Sequence, residues 1–371
     1  LGRGDRENPL AGGFVEEQDG ALTRLCREQP VGPRDPPVVT TRLPHRHLSG
    51  AREVFVPVED GLDLDRQVLH LDPLAVLAVG DDSWVDTVDG ENLVCPFHGW
   101  QWNTQGRNVC VPYEKQPNRA RRIRSYPTVE RNHAVWIWFD TASRPPYFEV
   151  PDVFTAFGDD ASDADNYYAP IPGGTLFHER LELHPQYIME NGVDFAHFKF
   201  VHETPFMPEF TRHDFHGPVS YVDFTIAFEQ GATLESASSG VYSVNAGLGC
   251  SVTKSWGMVE NRTMPAVTPV DGSTCDVRFT VWIGKKPGEE DAIELTKYGK
   301  VMSDLVIDQF DRDVEIWSHQ RYSDPPALSQ REFKGFTALR NWAVQFYPEG
   351  DSAYGRDPTR PESGAIVPLH P

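Results

Sequence analysis

From Thr87 onward the chain alternates apolar and polar residues in short runs separated by Gly and Pro, the period-two signature of half-buried strands. The segment ENLVCPFHGWQWNTQGRNVCVPY predicts a strand, a loop centred on Pro96 to Gly99, a strand through Trp100 and Trp102, a turn at Gly106 and a further strand. HAVWIWFD, residues 133–140, predicts another strand, and the Pro-rich SRPPYFEVPDV after it marks a domain boundary near 143–152. Beyond the boundary, HERLELHPQYIMENGVDFAHFKFVHE reads as a strand leading into a helix, and residues 217–285 supply several further strands. The period then changes. Over residues 292–319, Val301, Leu305, Val306, Phe310, Val314 and Trp317 recur at helical spacing and predict an amphipathic helix with that stripe buried. FTALRNWAVQFY, following Gly335, predicts a second, short helix, and the polar tail from Gly350 predicts disorder. There is no internal repeat. The pattern is that of a small all-β domain followed by a larger α+β domain with a sheet and segregated helices.

Composition alters this picture at the N-terminal end. Residues 1–94 hold only Phe14, Phe55 and Trp84 as aromatics and have no Lys, Ile, Met or Tyr, while all eight lysines lie from Lys115 onward. Residues 1–86 are therefore set apart. They fit a disordered extension, or a stretch read in a shifted frame, since GC-rich coding DNA out of frame yields Arg, Pro, Gly, Asp, Val and Leu. Charge narrows the partners: 34 Lys+Arg against 55 Asp+Glu gives −21, which opposes binding to nucleic acid or an anionic membrane. The longest basic cluster, residues 119–124, is short and interrupted. An apolar run of 74–79 is far below the roughly 18 residues of a membrane span, and no signal peptide is evident, so no membrane span is expected. Five cysteines are too few for a disulfide framework, which makes a reducing cytoplasm the expected compartment.

Two constellations carry chemistry. The first is Cys95-Pro-Phe-His98-Gly, where a thiolate and an imidazole on one tight loop can face a single metal centre. Alone the pair is a weak signal, since a buried cysteine beside a structural histidine is the commoner case. The second is Asn191-x-x-Asp194-x-x-His197-x-x-x-x-His202. Two neutral imidazoles plus one carboxylate form the facial triad that suits ferrous iron and leaves positions open for dioxygen. Five residues on an ideal helix turn about 140°, so His197 and His202 converge only if the helix ends or bulges between them. Asp194, three residues before His197, is placed to orient it or to relay an electron and proton to it. Incidental histidines on an amphipathic helix are the competing account. For the third ligand the acidic helix offers Asp304, Asp308, Asp311, Asp313 and Glu315. Residues three and four away share a helix face, and only Asp313 is flanked there mainly by apolar or neutral residues: Gln309, Phe310, Ile316 and Trp317. A carboxylate so placed needs a cation. Asp308 and Asp311 read as a solvated face.

CPFHGWQW, GRNVCVPY and VWIWFD together resemble the C-terminal half of a Rieske [2Fe–2S] domain of a ring-hydroxylating oxygenase. With MENGVDFAHFKFVH, QFDRDVEIWSHQ and LRNWAVQFYP, the resemblance runs from residue 87 to about 350. It points to the oxygenase component of Rieske non-haem iron oxygenases, in the branch of 3-ketosteroid 9α-hydroxylases and cholesterol 7-desaturase-like enzymes. QFDRDVEIW resembles the segment that carries the carboxylate ligand, again Asp313. The resemblance implies an α+β chain: an incomplete all-β Rieske domain over 87–148, then an α+β helix-grip (START-like) catalytic domain over 149–350, with 351–371 as tail. It implies a [2Fe–2S] cluster with Cys95 and His98 among its ligands, and Fe(II) at His197, His202 and Asp313. Asn191 would be a polar neighbour of the iron, and Asp194 the link to the cluster of the next subunit in a homotrimer. The implied reaction is insertion of one oxygen of O₂ into a C–H bond of a steroid-like substrate. Electrons would come from a separate NAD(P)H-dependent iron–sulfur flavoprotein reductase. A desaturase, an aromatic-ring or alkyl-amine oxygenase, and a cluster-free steroid- or lipid-binding protein are the rival readings.

One feature departs from the family pattern. A Rieske cluster takes two Cys and two His, and the second pair is a Cys-x-His about 15 to 17 residues before the second cysteine in this resemblance. The corresponding positions read Ala75, Val76, Leu77, Ala78 and Val79, and no cysteine lies between Cys26 and Cys95. The other cluster ligands are thus unknown. An abrupt loss on one side of residue 87 fits a lesion in the sequence better than a cluster lost by gradual erosion.

Overall fold

The computed structural model describes residues 40–41, 50–54, 70–71, 87–123, 126–140, 144–227, 239–257, 259–270, 274–320 and 328–347. Most of the expectations for residues 1–86, and those for the tail, lie outside the described residues. The chain divides into two units, Leu1–Arg42 with Glu59–Tyr126 and Leu43–Val58 with Pro127–Pro371.

In the first unit, β1 (Thr40–Thr41) pairs in parallel with β3 (His70–Leu71). Four short antiparallel strands follow in sequential order: β4 (Thr87–Asp89), β5 (Asn92–Val94), β6 (Gln101–Trp102) and β7 (Asn108–Cys110). Gly90, at φ +67°, makes the tight β4–β5 turn that a residue with a Cβ adopts only at a cost. Leu93, Cys110 and Val111 are buried. The β5–β6 connection is the Cys95–Trp100 loop, so the strand–loop–strand–turn–strand reading of this segment matches the structure.

The second unit begins with a three-stranded sheet ordered β2 (Gly50–Val54), β9 (Ala134–Phe139), β8 (Thr128–Arg131). Its main element is a seven-stranded antiparallel sheet in the order β10-β16-β15-β14-β13-β12-β11. These strands are β10 (Thr175–Leu181), β11 (Glu209–His216), β12 (Val219–Ile226), β13 (Ser239–Ala246), β14 (Cys250–Trp256), β15 (Asn261–Pro269) and β16 (Cys275–Ile283). The edge strands β10 and β11 are joined in sequence through two short helices, α1 (Pro185–Asn191) and α2 (Ala196–Phe200). A long helix, α3 (Lys297–Trp317), and a shorter one, α4 (Gln330–Ala343), follow the sheet.

Alternation along the strands explains why both sheet faces are covered. Val277, Phe279, Val281 and Ile283 of β16 belong to the cluster that includes Phe310, Val314 and Trp317 of α3. Trp282 points the other way, into a cluster with Val219, Tyr221, Val244 and Met264. Phe279 and Phe310 stack at 4.0 Å between ring centroids, which fixes α3 on the sheet; burial of each such ring contributes about 1.5–3 kcal/mol.

Several expectations are corrected here. The units divide between Tyr126 and Pro127 rather than near 143–152. The physical reason is β9: Trp136 packs with Val219, Tyr221 and Met264, and Trp138 with Tyr147 and Phe148, so the strand assigned to the first domain buries its tryptophans in the second unit. Val301 and Leu305, expected in the buried stripe of α3, are 52% and 48% exposed, because the buried face runs instead through Ser303, Phe310, Asp313, Val314 and Trp317. Helix α4 starts before Gly335, where Ser329 and Glu332 form a reciprocal capping box. The strand expected to lead into one helix leads into two, α1 and α2, broken at residues 192–195.

Candidate metal centre

Helix α1 opens with His184 as N-cap and Pro185 at its first position, and ends at Asn191. Residues 192–195 turn the chain into α2, where the Asp194 carboxylate accepts from the N–H groups of Ala196 (3.1 Å) and His197 (3.3 Å). Helix α2 is a single short element and stops at Val201, whose N–H reaches His197 O. His202 therefore lies past the helix end, and of the two routes by which residues 197 and 202 can converge, termination of the helix is the one observed. Their rings stand 5.0 Å apart at 77°.

Asp313 arrives from α3. Donor atoms of His197, His202 and Asp313 all lie within 4.8 Å of one another, and this is the one such group among the described residues. His202 Nε2 is 3.3 Å from Asp313 Oδ2, and Asn191 Nδ2 donates to the same oxygen at 3.1 Å. Asp313 is 6% exposed, and the groups that meet its carboxylate are the His202 imidazole and the Asn191 carboxamide. The His197 Nδ1–H donates to the backbone carbonyl of Asp194; because a carbonyl only accepts, Nδ1 carries the proton and Nε2 the lone pair. That Nε2 is buried without a partner. Leaving such an atom unpaired costs about 1–3 kcal/mol, and a bound cation shared with Asp313 removes both penalties. Burial also pushes the His197 imidazole below its ordinary range, keeping it neutral as a ligand must be. Burial raises the Asp194 carboxyl, against the opposing pull of His197.

Sequence reasoning named all five residues of this group. Of the two roles read for Asp194, orientation of His197 is made by its backbone carbonyl rather than by its carboxylate, which accepts from the first N–H groups of α2 and stays 4.0 Å from Nδ1. Sequence reasoning passed over the support behind the site. Glu190, 1% exposed, accepts from Arg340 Nε at 2.6 Å and from Gln186 Nε2 at 2.8 Å, and Tyr347 Oη donates to Gln186 at 2.7 Å. This network ties α1 to α4. The only hint in the sequence was a charged residue among apolar neighbours in YIMEN.

The triad opens on a cavity of about 460 Å³ between the sheet and α3, lined on the helix side by Val306, Phe310 and Trp317 and near α1 by Ile188 and Met189. Two imidazoles and a carboxylate on such a cavity define a class: a non-haem iron site of the oxygenase kind, in a sheet that grips a long helix.

Comparison with known proteins narrows the class to a family. Residues 137–347 match the 3-ketosteroid 9α-hydroxylase C-terminal domain, and residues 77–127 match the Rieske [2Fe–2S] domain. The chain belongs to the family of Rieske non-haem iron oxygenases that the 3-ketosteroid 9α-hydroxylase C-terminal domain defines. A 3-ketosteroid-9-alpha-monooxygenase oxygenase component of Rhodococcus rhodochrous is 28% identical over 277 residues, covering 70% of this chain and 69% of that protein. One from Mycobacterium tuberculosis is 27% identical, covering 72% and 69%. Cholesterol 7-desaturase nvd 1 of Ciona intestinalis is 25% identical, covering 71% of this chain and 57% of that protein. Among solved structures, Pseudomonas putida CBB5 NdmA with caffeine shares the fold at a TM-score of 0.52 and 20% identity, covering 70% of this chain and 73% of that one.

The Rieske match begins at residue 77, where the first ligand pair should stand. The second loop is well formed: Cys95 N–H donates to Trp100 O and Gly99 N–H to Cys95 O, both at 2.8 Å. Gly99 sits at φ +68°, a conformation that strains residues with a Cβ, and a Cβ there would press on the Pro112 ring at 3.1 Å. Cys95 is a half-buried free thiol, and His98 is exposed, edge-on to Phe97. Two ligands do not make a Rieske site, and no Cys-x-His occurs anywhere in the 371 residues. The residues present do not fit a four-ligand cluster.

Proposed function

We propose that this chain is the oxygenase component of a monooxygenase that hydroxylates a steroid-like apolar molecule with O₂. Its electrons would come from an NAD(P)H-dependent iron–sulfur flavoprotein reductase, and its working assembly would be a homotrimer. The observation that carries the reading is the convergence of His197, His202 and Asp313 at the wall of a 460 Å³ cavity. The curated relatives named for 3-ketosteroid 9α-monooxygenase support the substrate class.

His197, His202 and Asp313 would hold Fe(II), which when bound supplies the reductive activation of dioxygen. The protein's part is position and exclusion. Asn191 steadies the Asp313 carboxylate, the Asp194 carbonyl holds the His197 ring with Nε2 facing its co-ligands, and Glu190 with Arg340 keeps α1 in place. Phe198, Phe224, Phe279 and Phe310 keep water from the reacting C–H bond and the rings of an apolar substrate against the triad. A second reading, a cluster-free steroid-binding protein, is favoured by one observation, the missing ligand pair.

Hydrogen peroxide separates the two without depending on a cluster, because it brings both the oxygen and the two-electron oxidising power: R–H + H₂O₂ gives R–OH + H₂O. Iron-loaded protein with labelled peroxide should convert a 3-ketosteroid to a product carrying one labelled oxygen. Binding of the steroid with no labelled product at any peroxide concentration would establish the binding protein instead.

A further inference from the structure

The wall of the cavity formed by the central strands carries many polar side chains, with Val241, Trp256 and Pro265 as its apolar members. Residues of one strand parity share a sheet face, and register places the cavity-facing positions of β13, β14 and β15 in rows. Ser243, Thr253 and Thr263 form one row straight across the three strands. Ser255 with Asn261 lies on one side of it, and Asn245 with Ser251 on the other. All seven line the cavity, and Asn245, Ser251, Asn261 and Thr263 are buried. With strands about 4.8 Å apart and about 3.4 Å per residue, the patch is roughly 10 Å by 14 Å, the scale of a fused-ring skeleton. Facing it are Val306, Phe310 and Trp317 of α3.

The polar groups are only partly satisfied within the protein. Thr253 and Thr263 hydroxyls share one hydrogen bond of 2.7 Å, in which either is the donor, so the pair retains one O–H and several lone pairs. Asn245 donates one N–H to Ser220 Oγ at 3.0 Å, and Asn261 one N–H to the Val259 carbonyl at 3.0 Å; each carboxamide has further capacity. Buried polar capacity left over is costly. A ligand of hydrocarbon alone would seal these groups from water without replacing its hydrogen bonds, and would bind poorly over seven of them.

We infer that the substrate is a facially amphipathic polycycle: a steroid-like skeleton carrying two or more hydroxyl groups on one face, laid with that face on β13–β15 and its bare face against α3. This rests on the steroid reading above and deepens it. The hydroxyl face is held by an array in which every partner both donates and accepts, so the orientation of the ring system, and hence which C–H bond meets the triad, follows from the pattern of hydroxyls.

The test is binding by the full chain of two ligands, measured by calorimetry: a plain 3-ketosteroid and its counterpart with added hydroxyls on a single ring face. The hydroxylated ligand should bind at least tenfold tighter. In Thr253→Val, which keeps the side-chain shape, and separately in Ser255→Ala, that preference should fall severalfold, the hydroxylated ligand losing affinity and the plain steroid gaining it as the unmatched hydroxyl is removed. Equal or weaker binding of the hydroxylated ligand to the unaltered protein overturns the inference and leaves the steroid reading standing. A preference unchanged in both variants also overturns it, by removing the patch from its cause. Failure of both ligands to bind overturns the steroid reading itself, and this inference with it.

Discussion

Asp313 illustrates how far single residues can be read. Its apolar neighbours at three and four positions distinguished it from four other acids on the same helix, and it is the one buried beside His202 and Asn191. The chemistry of residue types was legible because a carboxylate surrounded by apolar groups needs a reason. The atom through which Asp194 orients His197 was not, because that hydrogen bond comes from a backbone carbonyl, which no side-chain pattern encodes. Asn191 was named as a polar neighbour, and its geometry gives that a consequence: Nδ2 to Asp313 Oδ2 at 3.1 Å fixes the carboxylate that faces His202. Asn191→Ala should lower iron affinity by about 10- to 100-fold, as is usual when the partner of a metal ligand is removed. Chelator competition on the folded variant checks this, with circular dichroism unchanged.

At the level of elements, period-two and helical spacing gave the strands and α3 with small errors at the ends. What it missed depends on tertiary packing. The rotation of α3 is set by Phe279 stacking on Phe310, not by the summed apolarity of its stripe, so Val301 turns outward and Leu305 is left half exposed on the lining of the cavity although both fit the pattern. Residues 217–285 were legible as strands, but the sequence does not say which parity of β13–β15 faces a cavity. Helix α1 is held by a pair 150 residues apart, Glu190 and Arg340, a separation beyond any local pattern. Arg340→Met leaves Glu190, 1% exposed, without its cation. Loss of one member of a buried pair costs about 3–5 kcal/mol, so the denaturant midpoint should drop markedly. Glu190→Gln with Arg340→Met together should recover part of it.

For the whole molecule, no helix among the described residues is long and apolar enough to cross a membrane. Family membership was legible from motifs that bear ligands, since those residues are fixed by the geometry around a metal while the surrounding chain is free to vary. The domain boundary was less so, because β9 reads as the last strand of one unit and packs as the core of the next. The chain pairs three residues placed so that they could hold one metal ion with half a Rieske set, and these two features make opposite demands on its metal content. Iron and acid-labile sulfide per folded chain, in the unaltered protein and in His197→Ala, test the assignment most directly. One iron per chain beyond any held with sulfide is predicted for the unaltered protein, and that iron is lost in the variant; iron retained undiminished in His197→Ala would contradict the metal centre described here.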